Sequence, residues 1–236
     1  MAIPQMAFPP ENMLDKLRKV PLYGWLTGIG HIATEYSLYL LAHVLSELIG
    51  TSGHAWCPKI PVIDDKIGVV AIFSVIYVYA YFFWFCGPVA VSLTGKRHYT
   101  NFAVGLFASY LVGFFTFLLA PSYMDRVAEG ILPYADGNSL TAFLLRFVYY
   151  GDGGAMGRDM FPSFHCLISV YCYLGVRRQP AIRKWYRVYS LIMAILICLS
   201  TLLIKQHYVL DVVGGVGLAL ISYAIVQRID PGKRFA

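Results

Sequence analysis

Two short stretches carry the residue types that phosphorus chemistry needs: Phe161-Pro162-Ser163-Phe164-His165 and, about forty residues later, His207-Tyr208-Val209-Leu210-Asp211. A neutral histidine can attack phosphorus and hold the phosphoryl group as a phosphohistidine. His207 and Asp211 are spaced i, i+4, which puts them on one face of a helix. Asp211 can then accept from one ring nitrogen of His207, fix its tautomer and stabilise the positive charge that develops. His165 can protonate the leaving oxygen. Pro162 suits a first helical turn. The free amides of that turn, near Ser163 to His165, favour an anion, and the Ser163 hydroxyl adds a donor. Read singly, each stretch also fits a plain helix start or an interfacial anchor. An ionisable Asp211 at the head of an apolar run weighs against that, because charges there are costly and take partners.

The elements that must position these residues are membrane helices. Hydrophobic residues make up 58% of the 236 and charged residues only 14%, against about 25% charged in soluble domains. The apolar residues fall in long runs, and a run of about 20 crosses the hydrocarbon core as a helix. The expected fold is all-α and polytopic, a single membrane-embedded domain over 1–236 with about six spans. These are placed near 22–49, 67–93, 100–120, 161–176, 188–204 and 208–226. Residues 1–20 read as a polar lead, with Met13 to Val20 a candidate interfacial helix. The first apolar run is too long for a secretory signal. The apolar segment 140–150 is too short to span and reads as re-entrant or interfacial.

Lys and Arg sort the loops into two sets. The lead, the 94–99 turn, the 177–187 loop and the C-terminal tail hold 13 of the 19; the remaining six are Lys59, Lys66, Arg126, Arg146, Arg158 and Lys205. The richer side is expected to be cytoplasmic, with both termini inside. Both chemistry-bearing stretches then face the other, extracytoplasmic side of a cell membrane. The net charge of +6 reads as topology and contact with anionic lipid, not as nucleic-acid binding.

Span one carries His31 with Glu35 and His43 with Glu47, each pair on one helical face. They read as a buried hydrogen-bonded network, with a proton path or metal site as the alternative. Cys57, Cys86, Cys166, Cys172 and Cys198 have no metal-ligand spacing. A Cys57–Cys166 disulfide is a minor option on the outer side. Gly151-Asp152-Gly153-Gly154 reads as a flexible turn.

The order Pro162-Ser163-Phe164-His165, then His207 and Asp211, resembles the second and third motifs of the phosphatidic acid phosphatase type 2 superfamily. It is most similar to the membrane branches that include sphingomyelin synthases and inositol phosphorylceramide synthases. Phe164 stands where that family has Gly, and Ser200-Thr201 stands where it has Ser-Arg. The motif match covers 161 to about 219. The resemblance implies His207 as nucleophile, His165 as acid and Asp211 as orienting carboxylate, with no metal and no cofactor.

The departures from the family bear on the substrate. Its first motif, Lys, six residues, Arg-Pro, is missing, and so is the third-motif Arg. Those cations clamp a phosphate monoester, which carries nearly two charges; a diester carries one. The expected substrate is therefore a membrane phosphodiester lipid. Its phosphoryl head group is cleaved or transferred, with water or a lipid alcohol as acceptor. Substrate contacts are expected from Ser163, Phe164, Arg158 and Lys205, with Arg158 the first choice to replace the missing cations and Arg126 or Arg146 further options. The alternatives are a lipid monoester or polyprenyl diphosphate phosphatase, and a small proton-coupled transporter using span one. Reporter fusions at residues 55, 97, 135, 182 and 236 should read out, in, out, in, in; the same side at 135 and 182 would abolish the shared face.

Overall fold

The computed structural model describes residues 19–235. All but the last two residues of the predicted Met13–Val20 helix lie outside that range, and those two form a turn and a bend. Eight α-helices are formed among the described residues: α1 Leu22–Leu48, α2 Pro61–Asp64, α3 Phe73–Ser92, α4 Lys96–Leu119, α5 Leu140–Gly151, α6 Phe164–Val176, α7 Lys184–Leu203 and α8 Val209–Ile229. The chain is an all-α polytopic membrane protein. Its six long or central helices fall on the six predicted spans.

Four of them, α3, α4, α7 and α8, are long and apolar enough to cross a membrane. Their outer faces expose large apolar side chains such as Phe115, Ile195, Val213 and Ile221, as lipid contact requires. α1 has the length, 27 residues, but its His and Glu residues dilute its apolarity. α6 departs in the other direction. It has 13 residues, about 20 Å at 1.5 Å per residue, well short of a roughly 30 Å hydrocarbon core. It can be short because protein sheathes it. Phe164, Leu167, Ile168, Tyr171 and Cys172 all belong to the main core, and the helix packs on α3, α4, α7 and α8.

Small residues allow that sheath to close. A Cβ on Gly87 of α3 would stand 2.4 Å from Cys172 Sγ, and one on Gly113 of α4 would stand 2.1 Å from the Phe164 ring. Polar bonds then fix the helices in register. Trp84 Nε1 donates to Ser169 Oγ at 2.9 Å, and His31 bonds Tyr110 Oη at 2.9 Å and the Trp84 carbonyl at 3.1 Å. His31 thus joins the buried network expected for span one.

The two ends of the bundle differ. At one end Arg97 pairs with Asp230, and His98 bonds the Gly175 carbonyl at 2.7 Å. The other end carries the longer loops and an element the sequence reading did not foresee. This is a two-stranded antiparallel ribbon of β1 (Tyr123–Asp125) and β2 (Met156–Arg158), with Tyr123 opposite Arg158. α5 is inserted between the strands. One face of α5 buries Leu145, Val148 and Tyr149, while Phe143, Phe147 and Tyr150 point outward. The cysteines are all free, so the Cys57–Cys166 option is not taken up: Cys57 is exposed and Cys166 buried.

At the loop-rich end the start of α8 is seated against the start of α6. The Ser163 N–H donates to the Asp211 carbonyl at 3.0 Å. A Cβ on Gly215 would stand 2.2 Å from the Ser163 carbonyl oxygen. Gly215→Ala should therefore push α8 off α6 and destabilise the fold by about 1–3 kcal/mol. Gly217→Ala, with nothing within 4 Å of its added Cβ, should be neutral. Thermal unfolding of both variants in detergent checks this, and equal stability would refute the contact.

Candidate active site

A cavity of about 410 Å³ opens at this end, and His165, His207, Phe164 and Arg158 all line it. Each predicted residue reaches its place through local structure. Ser163 is the N-cap of α6, its Oγ accepting from the Cys166 N–H at 3.4 Å. Helix α6 therefore begins at Phe164, and Pro162 lies just before the cap instead of in the first turn. The amides of Phe164 and His165 have no acceptor among the described residues, whereas that of Ser163 is used by Asp211. Ser163 itself is fully buried and does not reach the cavity.

His165 stands in an aromatic cage. Its ring stacks on Tyr77 with centroids 3.9 Å apart, and Trp84 meets it edge-on at 4.6 Å. The Tyr77 hydroxyl lies 3.2 Å from Nδ1. Nε2 is shut from solvent and has no partner. The cage fixes the ring and leaves Nε2 for a bound molecule.

His207 sits in the linker between α7 and α8. Its N–H donates to the Thr201 carbonyl at 3.1 Å, as does that of Gln206 at 2.9 Å. Nδ1 lies 3.4 Å from Asp211 Oδ2. The contact is electrostatic and not a formed hydrogen bond, since Nδ1 has no hydrogen-bond partner. Oδ2 instead accepts from the Tyr208 N–H at 2.8 Å, which anchors the carboxylate. Burial pulls the His207 pKa down, but Asp211 outweighs it, with help from Asp152, and the net shift is upward. With Nδ1 facing Asp211, Nε2 is the ring nitrogen left for the cavity. The His165 and His207 ring centroids are 6.5 Å apart.

Asp64, the last residue of α2, clamps the head of α8. Asp64 Oδ1 accepts from the Val209 N–H at 2.9 Å. Lys205 Nζ donates to the Asp64 carbonyl and lies 3.9 Å from Glu129 Oε2. Lys205 is therefore turned to this clamp and does not line the cavity. Arg146 is likewise engaged elsewhere, on the carbonyls of Ala135 and Gly137. Arg158 does reach the cavity, and it is paired with Glu47 at 2.9 Å and also touches His43.

Arg126, an optional replacement cation in the sequence, is committed inside the protein, and Asp152, Gln206 and Asp159 join the site without having been candidates. Arg126 is completely buried, pairs with Asp152 Oδ2 at 2.6 Å and contacts Gln206 Oε1 at 3.1 Å. Asp152, in the turn read as merely flexible, also accepts from Tyr39 Oη at 2.5 Å and Gln206 Nε2 at 2.6 Å. Thr201, where the family has Arg, is buried with its hydroxyl on the Cys198 carbonyl at 2.8 Å. Asp159, held at positive φ after the ribbon, is 5% exposed. Burial raises its carboxyl pKa to about 7, aided by Asp152 and opposed by Arg158.

The sequence profile of the PAP2 superfamily, the phosphatidic acid phosphatase type 2 group, matches residues 38–225. No curated protein and no solved structure matches the chain.

The raised Asp159 has a consequence for stability. The folded state keeps a proton that the unfolded chain releases near pH 4, so stability falls as pH climbs from about 4 through about 7 and then levels off. Asp159→Asn should remove that slope, at most about 1.4 kcal/mol per pH unit. It should unfold at higher temperature than the parent at pH 8; parallel pH profiles of the two proteins would refute the assignment. The match spans most of the described helices and both histidine stretches, and on that ground the chain belongs to the PAP2 superfamily of phosphatase-type membrane enzymes.

Proposed function

We propose that this protein cleaves or transfers the phosphoryl head group of a membrane phosphodiester lipid through a phosphohistidine on His207. The observation that carries the proposal is the pair of unpartnered imidazole nitrogens across one cavity, with ring centroids 6.5 Å apart and Asp211 behind His207. That gap suits a tetrahedral phosphoryl group between nucleophile and acid.

In the proposed reaction, His207 Nε2 attacks phosphorus and the P–O bond to the leaving lipid alcohol breaks. His165, entering as the imidazolium, gives its Nε2 proton to the leaving oxygen and is left neutral. Asp211 stabilises the cationic phosphohistidine through Nδ1–H. In the second half, His165 takes a proton from the acceptor hydroxyl. That oxygen attacks phosphorus, the P–N bond breaks and His207 returns to its neutral form. The amides of Phe164 and His165 are available to the phosphoryl oxygens. Water as acceptor gives hydrolysis; an alcohol on a second lipid gives transfer.

The charge balance favours a diester. Arg126 is committed to Asp152 and Arg158 to Glu47, and the third-motif cation is a buried Thr201. No uncommitted cation lines the cavity among the described residues. By the Lys and Arg distribution, the cavity faces the extracytoplasmic side.

Purified protein in mixed micelles tests the reading. Phosphatidate, a polyprenyl diphosphate and several phosphodiester lipids are offered with and without diacylglycerol or ceramide. A new phospholipid or a released head group, without free phosphate, is expected. His207→Ala should abolish it, and His165→Ala should slow it roughly 10²–10⁴-fold. Free phosphate from the monoesters, lost in His207→Ala, would replace the diester reading with a phosphatase. Turnover unchanged in His207→Ala would overturn the mechanism.

A further inference from the structure

A second cavity, of about 410 Å³, lies at the opposite end of the bundle, between the start of α4 and the end of α8. The Lys and Arg distribution makes this end the expected cytoplasmic one. The short turn Pro231–Phe235 that follows α8 is packed against α4. Asn101 Oδ1 accepts from the Gly232 N–H at 2.7 Å, and a Cβ on Gly232 would stand 2.2 Å from the Arg97 carbonyl oxygen. Phe235, at the end of this close-packed turn, lines the cavity.

The charge of this cavity is one-sided. Asp230 is the one side-chain carboxylate at this end among the described residues, and it is already satisfied. Arg97 Nε lies 3.2 and 3.1 Å from its two oxygens, and Asn101 Nδ2 donates to one of them at 2.8 Å. His98 is likewise engaged, on the Gly175 carbonyl at 2.7 Å and on Gln179 Nε2 at 3.3 Å. Lys96 lines the cavity with no carboxylate partner among the described residues, its Nζ standing 5.9 Å from the Phe235 ring centroid. Lys233 and Arg234 are exposed on the same turn as Phe235. The cavity therefore keeps positive charge that no described side chain offsets, and such a cleft concentrates anions.

The border of the cavity is apolar. Leu93, next to Thr94 of its lining, is 41% exposed; Ile229, next to Asp230 of its lining, is 71% exposed; and Phe235 itself is 49% exposed. Cations thus meet the lipid-facing surface of the bundle at this point. A soluble phosphate would use only the charge, whereas a phospholipid uses both, and basic pockets at helix ends take anionic lipid head groups. A zwitterionic head group would bring its own ammonium to a site already in surplus of positive charge. We infer that this cavity binds the head group of an anionic phospholipid, with Lys96 on the phosphate and the acyl chains along the exposed apolar side chains beside it. The bound lipid is a fixture of the fold at the end away from the histidines, and the inference does not depend on what reaction the histidines perform.

Binding to the full-length protein in neutral detergent tests this, with lysophosphatidylglycerol, lysophosphatidylcholine and inorganic phosphate as probes. Binding elsewhere, at the histidine cavity included, is common to all variants and cancels in the comparison. Lys96→Gln is expected to weaken lysophosphatidylglycerol binding roughly fivefold. Lys96→Arg should keep most of it, and lysophosphatidylcholine should bind all three proteins alike. Arg183→Gln removes another exposed cation of this end, one that does not line the cavity, and should leave lysophosphatidylglycerol binding unchanged. In the parent protein, lysophosphatidylglycerol should slow amide hydrogen exchange over 94–101 and 227–235. Equal losses in Lys96→Gln and Arg183→Gln would mean diffuse attraction and overturn the site, as would an unchanged Lys96→Gln or the absence of local protection. Displacement of lysophosphatidylglycerol by inorganic phosphate at matched concentration would overturn the lipid as occupant in favour of a small soluble anion.

Discussion

The backbone bond from the Ser163 amide to the Asp211 carbonyl, 3.0 Å long, joins the two halves of the candidate site. Ser163 caps α6, whose second residue is His165. Asp211 opens α8, and His207 precedes that helix by two residues. The distance between the histidines is therefore set by main-chain contact between two helix ends, not by flexible side chains. Such contact requires a glycine, because a side chain on residue 215 would meet the Ser163 carbonyl. The Asp64 cap on Val209 and the Thr201 carbonyl beneath Gln206 and His207 hold the same junction from outside. Placing a site on element ends locked by second contacts gives the positional precision that chemistry demands.

That junction is buried, and burial governs its electrostatics. Charge in a low-dielectric interior survives only with partners, which explains the completely enclosed Arg126 with its ring of carbonyls, Asp152 and Gln206. This network ties the turn after α5 to the linker that carries His207. Arg158, the last residue of the ribbon, and Asp159 after it both line the cavity. Among the buried atoms without a hydrogen bond, His165 Nε2 and Asp159 Oδ2 belong to residues that line the cavity.

α6 shows how context overrides a simple length rule. A 13-residue helix cannot cross the hydrocarbon core on its own, yet it lies at the centre of the bundle. The small residues on α3 and α4 draw those helices close around it. His165 in the first turn of α6 lines the cavity together with residues of the longer helices α1, α3 and α4.

The sequence by itself determined the fold class, the positions of the six long or central helices and the identities of both histidine stretches. These follow from local pattern: apolar run length, Lys and Arg bias, and i, i+4 spacing. It also fixed the absence of the family's cations, which steers the reading toward a diester. Tertiary structure alone decided that Lys205 serves the Asp64 clamp, that Ser163 is spent as a cap and that Asp152 is a network anchor. It alone brought Glu35 and Asp159 to one cavity across more than a hundred residues of chain. No periodicity encodes such partnerships. Whether a polar residue faces lipid, a partner or a cavity depends on which other helix arrives beside it, and that is settled only when the bundle packs.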